Sequence, residues 1–128
     1  MGYAGAVRRF IRKRRAQPEA QIQRAVFEHI AYRQVPGWRF WSTPNAAKRS
    51  LQMGAELKAQ GMTAGVGDIS IVSPTGRYHE LELKVAKGRL SAAQRERQDA
   101  LKQSGVICAV AYGLDAALAI LKGWGAIR

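Results

Sequence analysis

Apolar and polar side chains alternate over residues 68–72 and 78–84, a pattern typical of β-strands that bury one face. The residues between them, 73–76, read Ser-Pro-Thr-Gly and are strong turn formers. The two stretches therefore predict a β-hairpin in the middle of the chain.

The register of this hairpin follows from the two faces of its strands. Antiparallel pairing about the turn puts Ile69 opposite Leu81 and Asp68 opposite Glu82, so apolar side chains share one face and acidic side chains share the other. A shift by one residue would put the acids into the core. We predict that one face packs in the interior and that the other, which also carries Lys84, performs the chemistry.

The elements on either side of the hairpin are predicted from helical spacing, capping residues and short apolar runs. They are a helix from Pro18 to about Tyr32, an aromatic strand at 38–42, a short polar segment compatible with a helix at 52–60, a helix opened by Ser91 and ending near Gln103, a buried strand at 106–111 and a helix at 115–122. The unit from the hairpin through the Ser91 helix to the next strand should be a right-handed crossover between parallel strands. The tryptophans of the aromatic strand are predicted to pack in the core and at the edge of the sheet rather than to stack on bases.

The chain has 128 residues, of which 47% are hydrophobic, as expected for one globular domain. It lacks the roughly 18-residue apolar run of a membrane span and the apolar stretch of a secretory signal. We expect a soluble, intracellular protein, in the cytoplasm of a bacterial or phage-infected cell. The single cysteine, Cys108, lies in an apolar run and His79 lies on the apolar face of its strand, so both are predicted to be packed.

A net charge of +12 and a pI near 10.7 indicate a polyanionic partner. Residues 1–17 are predicted to form a basic arm, flexible or helical, ahead of a domain at 18–128. The arm contains no acid, and its six basic residues are Arg8, Arg9, Arg12, Lys13, Arg14 and Arg15. An acidic membrane or a targeting presequence would also suit such an arm, but the other 15 of 21 basic residues still outnumber the 9 acidic ones. Nucleic acid is therefore the favoured partner.

The acidic face of the hairpin is a candidate metal site. Directly opposed side chains have Cβ atoms about 4.5–5.5 Å apart, so Asp68 and Glu82 would repel each other without a cation. Our hypothesis is that both bind Mg²⁺ with the Leu83 backbone carbonyl, Mn²⁺ being a possible substitute, and that Lys84 orients or deprotonates the attacking water. In the alternative reading, Glu80, Glu82 and Lys84 form only a solvated strand face with ion pairs.

Gln94 is the fourth residue of Ser91-Ala92-Ala93-Gln94, which has the spacing of a helix capping box. Because this helix start is expected to face the acidic strand, Gln94 is a candidate to position water or phosphate. A purely structural role as a capping glutamine is an equally good reading.

Taken in order, these motifs resemble the VRR-NUC family of virus-type replication and repair nucleases, in the PD-(D/E)xK superfamily. The matching segments lie between Pro18 and about Lys122: Pro18-Glu19 with Gln23, Thr43-Pro44-Asn45 with Lys48-Arg49, Leu57-Lys58 with Gln60-Gly61, Ala64-Gly65-Val66 with Asp68, Glu82 with Lys84, and Gly88-Arg89-Leu90-Ser91 with Gln94. Two positions depart from the family pattern. Gly67 stands where a proline usually precedes the aspartate, and Ala46-Ala47 stands where a Gly-Gly pair is common.

The resemblance implies an α/β fold with a restriction-endonuclease-like PD-(D/E)xK core, in which helices flank a mixed central sheet. It implies that Glu19 completes the metal site or binds a second ion. It also implies a Mg²⁺-dependent DNA endonuclease that is selective for branched DNA, such as a Holliday junction or a flap. We assign phosphate binding to the basic arm and to Lys48, Arg49, Lys87 and Arg89. Because so small a domain covers little DNA, we expect a homodimer with two active sites.

Two other readings stay open. The chain could be a non-catalytic, basic DNA- or RNA-binding module with the same fold and a structural acidic cluster. It could also bind ribosomal RNA, in which case the arrangement of Asp68, Glu82 and Lys84 would be a coincidence.

Overall fold

The computed structural model describes residues 18–43, 51–62 and 65–128. The elements in chain order are α1 (Pro18–Arg33), β1 (Arg39–Ser42), α2 (Leu51–Ala59), β2 (Ile69–Val72), β3 (Tyr78–Lys84), α3 (Ala92–Gln103), β4 (Ile107–Tyr112) and α4 (Leu114–Trp124). The predicted basic arm at 1–17 and the predicted phosphate ligands Lys48 and Arg49 lie outside the described residues.

The observed elements match the predicted ones closely. Strand β3 has the predicted limits, and α3 begins directly after Ser91 and ends at Gln103. The polar segment predicted as compatible with a helix forms α2. The last helix is longer than predicted and ends where Gly125 adopts the left-handed conformation, with φ of 86°.

The strands form one mixed sheet in the order β1-β2-β3-β4. Neighbours β1 and β2, and β2 and β3, are antiparallel, whereas β3 and β4 are parallel. Ile69 pairs with Leu81 as predicted, and one further step along this ladder brings Asp68 opposite Glu82. The parallel pairing of β3 with β4 likewise agrees with the strand–helix–strand unit predicted through α3.

One face of the sheet packs against α1 and α4. The fully buried strand residues on this face are Ile69, Ile71, Leu81 and Leu83, and they meet Val26 and Ile30 of α1 and Ala117 and Leu121 of α4. Full burial of a Leu or Ile side chain contributes about 1.5–3 kcal/mol. This layer therefore fixes the position of β3, the strand that carries most of the predicted site.

The opposite face of β3 is covered by α3. Glu80 and Glu82 project from this face and are each only 3% exposed, because side chains of α3 reach both carboxylates. Alternation in the sequence predicted that these side chains share a face, but not that a helix covers it. The sheet thus lies between two helical layers, with the acidic face inside one of them.

His79 is packed on the apolar side, as predicted. It is 3% exposed and lies between the rings of Trp38 and Trp124, with centroid distances of 5.5 and 4.8 Å. Burial lowers the pKa of His79, which favours the neutral ring. Cys108 is partly buried, and this burial raises the pKa of its thiol.

The two tryptophans near β1 differ in environment. Trp38 belongs to the core and is 9% exposed, which agrees with the prediction of packing, but Trp41 is 46% exposed. Among the residues that the structure describes, no helix combines the length and the apolar character needed to span a membrane.

Candidate active site

Asp68 is held rigidly at the entrance to β2. Its backbone carbonyl accepts a hydrogen bond from the Thr43 amide at 3.0 Å, and its Oδ2 accepts one from the Leu83 amide at 2.7 Å. The second bond crosses from β2 to β3 and draws the Asp68 carboxylate toward the strand that carries Glu82. The predicted pair is therefore brought together.

Glu82 is buried beside Asp68, and this environment makes its carboxyl group a weaker acid. Burial, followed by the negative charge of Asp68 and a hydrogen bond with it, raises the pKa of Glu82 to about 8. The nearby ammonium group of Lys84 acts in the opposite direction, and the charge of Glu19 adds slightly to the increase. The raised pKa favours the neutral form of Glu82, and a cation bound between the two side chains would favour its charged form.

Lys84 and Gln94 both approach the same oxygen of Glu82. The Lys84 Nζ lies 3.8 Å from Glu82 Oε1, and the Gln94 Nε2 donates a hydrogen bond to it at 2.7 Å. The ammonium group is largely buried, since the Lys84 side chain is 12% exposed. A positive charge thus sits at the edge of the acid pair.

The capping role of Gln94 is confirmed, and its role in positioning water or phosphate stays a prediction. Its Oε1 accepts a hydrogen bond from the Ser91 amide at 2.8 Å, and its own amide donates to Ser91 Oγ at 3.1 Å, which completes the capping box. The remaining amide nitrogen reaches Glu82. A single side chain therefore closes the start of α3 and orients a carboxylate of the site.

The donor set fits a hard divalent cation in chemistry. Carboxylate oxygens from Asp68 and Glu82 are the ligands that Mg²⁺ prefers, with water completing its shell. The Leu83 amide faces Asp68, and because the N–H and C=O of one strand residue point to the same side, the Leu83 carbonyl is directed toward β2 as well. Glu19 lies in the first turn of α1, and its charge is felt at Glu82.

In the described part of the chain, these groups do not form a complete set of protein ligands for a metal ion. Within residues 18–43, 51–62 and 65–128, no group of three or more His, Cys, Asp or Glu side chains has metal-binding geometry. Asp68 and Glu82 are thus an adjacent pair, and the metal ligand role of Glu19 stays a prediction.

Glu80 has a structural role that the sequence did not reveal. Its Oε1 accepts a hydrogen bond from the Gly67 amide at 2.8 Å, and its two carboxylate oxygens accept from Arg97 at 3.3 and 3.0 Å. Glu80 is thus a buried ion-pair partner of Arg97 and not a solvated partner of Lys84. A hint was present in the sequence, because Arg97 lies three residues after Gln94 and so projects from the same side of α3.

The predicted phosphate ligands that the structure describes lie beside this site. Lys87 and Arg89 are exposed and lie in the segment that connects β3 to α3. This segment begins after Lys84 and ends three residues before Gln94. A turn closed by a 2.8 Å bond from the Gly88 amide to the Val85 carbonyl bends this connection. The remaining predicted basic ligands lie outside the described residues.

The comparisons with known proteins give one kind of match. No protein-family model and no curated protein matches the sequence. A solved structure described as a "VRR_NUC domain protein" has a TM-score of 0.68 at 22% identity and covers 82% of this chain and 85% of its own. Another, described as a "VRR_NUC domain", has a TM-score of 0.56 at 14% identity and covers 81% of this chain and 94% of its own.

At these identities the likeness concerns the fold. The architecture and the matches agree with the fold expected from the sequence motifs. The chain has the fold of these VRR_NUC domain structures, an α/β fold in which helices flank a mixed central sheet.

Proposed function

We propose that this chain is a metal-dependent nuclease that hydrolyses phosphodiester bonds in DNA. The observation that carries the proposal is the convergence of Asp68, Glu82, Lys84 and Gln94 at the end of β3, in a fold shared with VRR_NUC domain proteins.

Mg²⁺ or Mn²⁺ would be held by Asp68 and Glu82, with the Leu83 carbonyl and Glu19 as further ligands. When bound, the ion would supply Lewis-acid activation of the scissile phosphate and of a water molecule. The protein contributes the fixed positions of these oxygens. The Leu83 amide orients Asp68, and Gln94 orients Glu82.

Lys84 is the proposed catalytic residue. In its charged form the Lys84 ammonium group is close enough to the acid pair to orient an attacking water and to offset the negative charge that develops on the pentavalent phosphorus, whereas only the neutral amine can accept a proton from that water. Its burial strengthens both effects, because electrostatic interactions are weaker in bulk water.

The basic charge of the chain is proposed to bind the DNA backbone, through Lys87 and Arg89 beside the site and through the predicted arm. Affinity should then fall steeply with added salt, because binding releases counterions from DNA. We further propose a branched substrate, such as a flap or a Holliday junction, and a homodimer that offers two active sites to it.

The test is cleavage of a panel of linear, flapped, branched and circular DNA, with and without Mg²⁺. Lys84→Ala and Asp68→Asn should abolish cleavage and leave DNA binding within about twofold, since binding is spread over many basic residues. Lys122→Ala is the matched control, because Lys122 is an exposed lysine on α4, on the other side of the sheet. Retained Mg²⁺-dependent cleavage by pure Lys84→Ala protein would remove the proposal.

The second candidate function is non-catalytic binding of DNA or RNA, which the charge of +12 supports by itself. It predicts salt-sensitive binding without cleavage of any substrate in the panel at any divalent-metal concentration. It also predicts that Asp68→Asn and Lys84→Ala leave every measured property except stability unchanged.

A further inference from the structure

Two aromatic side chains flank the acid pair in solvent. The large hydrophobic side chains that are exposed in the described part of the chain are Tyr32 at 92%, Trp41 at 46% and Tyr112 at 45%. Tyr32 lies on α1, on the core side of the sheet. Trp41 and Tyr112 instead belong to the two outer strands of the sheet, β1 and β4.

Tyr112 stands next to Lys84. The two residues are partners in the parallel ladder between β3 and β4, and paired residues of neighbouring strands project from the same face. Their backbones are about 4.8 Å apart at this strand spacing. A 2.9 Å bond from the Gly113 amide to the Lys84 carbonyl fixes the end of β4 at this point. Tyr112 and the proposed catalytic Lys84 are therefore neighbours on the same face of the sheet.

Trp41 stands on the other side of the acid pair, on the same face. It pairs with Ser70 of β2, two residues beyond Asp68, and Asp68 is tied to β1 through the Thr43 amide. The Trp41 backbone is thus one strand spacing and two residues from Asp68, or roughly 8 Å. It lies on the opposite side of Asp68 from Lys84 and Tyr112.

Trp41 and Tyr112 are well separated on the sheet. Their backbones are three strand spacings and four residues along the strands apart, or about 20 Å, so each ring is expected to meet a different base. At the 3.4 Å spacing of stacked nucleotides along one strand, this corresponds to at most about six nucleotides. Aromatic platforms in a basic protein bind single-stranded nucleic acid by stacking, which every base allows. Bases within a duplex are already stacked and paired, and are not available to such platforms.

We propose that Trp41 and Tyr112 are base-stacking residues on either side of the acid pair, so that the substrate carries unpaired nucleotides at the scissile phosphate. This inference rests on the proposed function in one respect, namely that the phosphate next to the acid pair is the one that is cleaved. This narrows the branched substrates proposed above to a flap or a single-stranded tail, and it excludes a fully paired Holliday junction. The net charge of +12 supports a nucleic acid, rather than another protein, as the occupant of this face.

The test is binding of a fluorescently labelled 12-nucleotide single strand and of the matching duplex, measured by anisotropy in chelator so that no cleavage occurs. Tyr112→Ala and Trp41→Ala should each weaken single-strand binding roughly 5- to 100-fold, the usual loss for one stacked base, and change duplex binding less than twofold. Tyr112→Phe and Trp41→Phe should retain most of the affinity, because they keep a ring. Tyr32→Ala is the control for loss of an exposed aromatic side chain and should behave as wild type.

Equal loss for single strand and duplex, or no loss for either, would overturn the inference. So would weak binding by the phenylalanine variants together with unchanged melting temperatures. Because binding in chelator does not require cleavage, the two proposals fail separately. Ring-dependent binding of single strands by a protein that never cleaves DNA would remove the nuclease and keep the stacking residues. Cleavage by wild type with ring-independent binding would do the reverse.

Discussion

Gly67 offers a sharp test of how the acidic face is held together. In the family that the sequence resembles, a proline usually stands at this position. Here the Gly67 amide donates a 2.8 Å hydrogen bond to the buried carboxylate of Glu80, which also accepts from Arg97. A proline has no N–H, so Gly67→Pro removes one of these donors.

The size of the effect can be worked out from these contacts. A hydrogen bond to a charged group contributes about 1.5–3 kcal/mol. A Cβ atom at position 67 would lie 3.3 Å from the Glu80 side chain and from the Leu81 carbonyl, which is tight but not a severe clash. Gly67 does not have positive φ, so a proline can gain about 0.4–1 kcal/mol by restricting the unfolded chain. Gly67→Pro should therefore reduce the free energy of unfolding by about 1–2 kcal/mol net.

The matched control is Gly67→Ala, which adds the same Cβ atom and keeps the N–H. Because both side chains restrict the unfolded chain, urea unfolding and thermal melts should show the proline variant to be less stable than the alanine variant by the hydrogen bond alone, about 1.5–3 kcal/mol, or roughly 5–11 °C in Tm. In a Glu80→Gln background this difference should shrink, because the acceptor is no longer charged. A proline variant as stable as the alanine variant would refute the role assigned to the Gly67 amide.

Three further predictions concern the same face. The native protein keeps a proton on Glu82 that the unfolded chain releases. The free energy of unfolding of the metal-free protein should therefore fall as the pH rises from about 4.5 to 8. Thermal melts in chelator should show that Glu82→Gln weakens this dependence of stability on pH. Arg97→Ala leaves the Glu80 carboxylate buried without its ion-pair partner and should reduce the free energy of unfolding by about 2–4 kcal/mol in urea titrations. The control Lys102→Ala, which removes an exposed lysine from the same helix, should be near neutral. Ser91→Ala should reduce the free energy of unfolding by about 1 kcal/mol, because it removes the capping box at the start of α3. It should also slow the proposed DNA cleavage, because Gln94 of the same capping box orients Glu82.

The hairpin was predictable because two independent constraints agreed. One register satisfied both the apolar and the acidic positions, and a one-residue shift would have violated both, so Ile69 and Leu81 could be paired from the sequence alone. The helix start at Ser91 was predictable for a similar reason, because its cap is local in sequence.

The sequence alone did not reveal which side chains pack against each face of the sheet. Alternation in β3 put Glu80 and Glu82 on one side, but their different roles depend on which side chains of α3 lie above them. Likewise, Trp38 and Trp41 lie three residues apart in one aromatic segment, and only the packing of the sheet decides that the first is buried and the second half-exposed. Such distinctions arise from contacts between elements far apart in the chain.

Gln94 both caps a helix and holds a carboxylate of the candidate site. Its carbonyl oxygen secures the first turn of α3, while its amide nitrogen steadies Glu82. Fraying of that turn, which opens at a lower free energy than the whole domain, would release the carboxylate at the same moment. Under the proposed function, warming should therefore abolish DNA cleavage some degrees below the temperature at which the sheet unfolds, and cleavage should recover on cooling as long as the sheet stays intact.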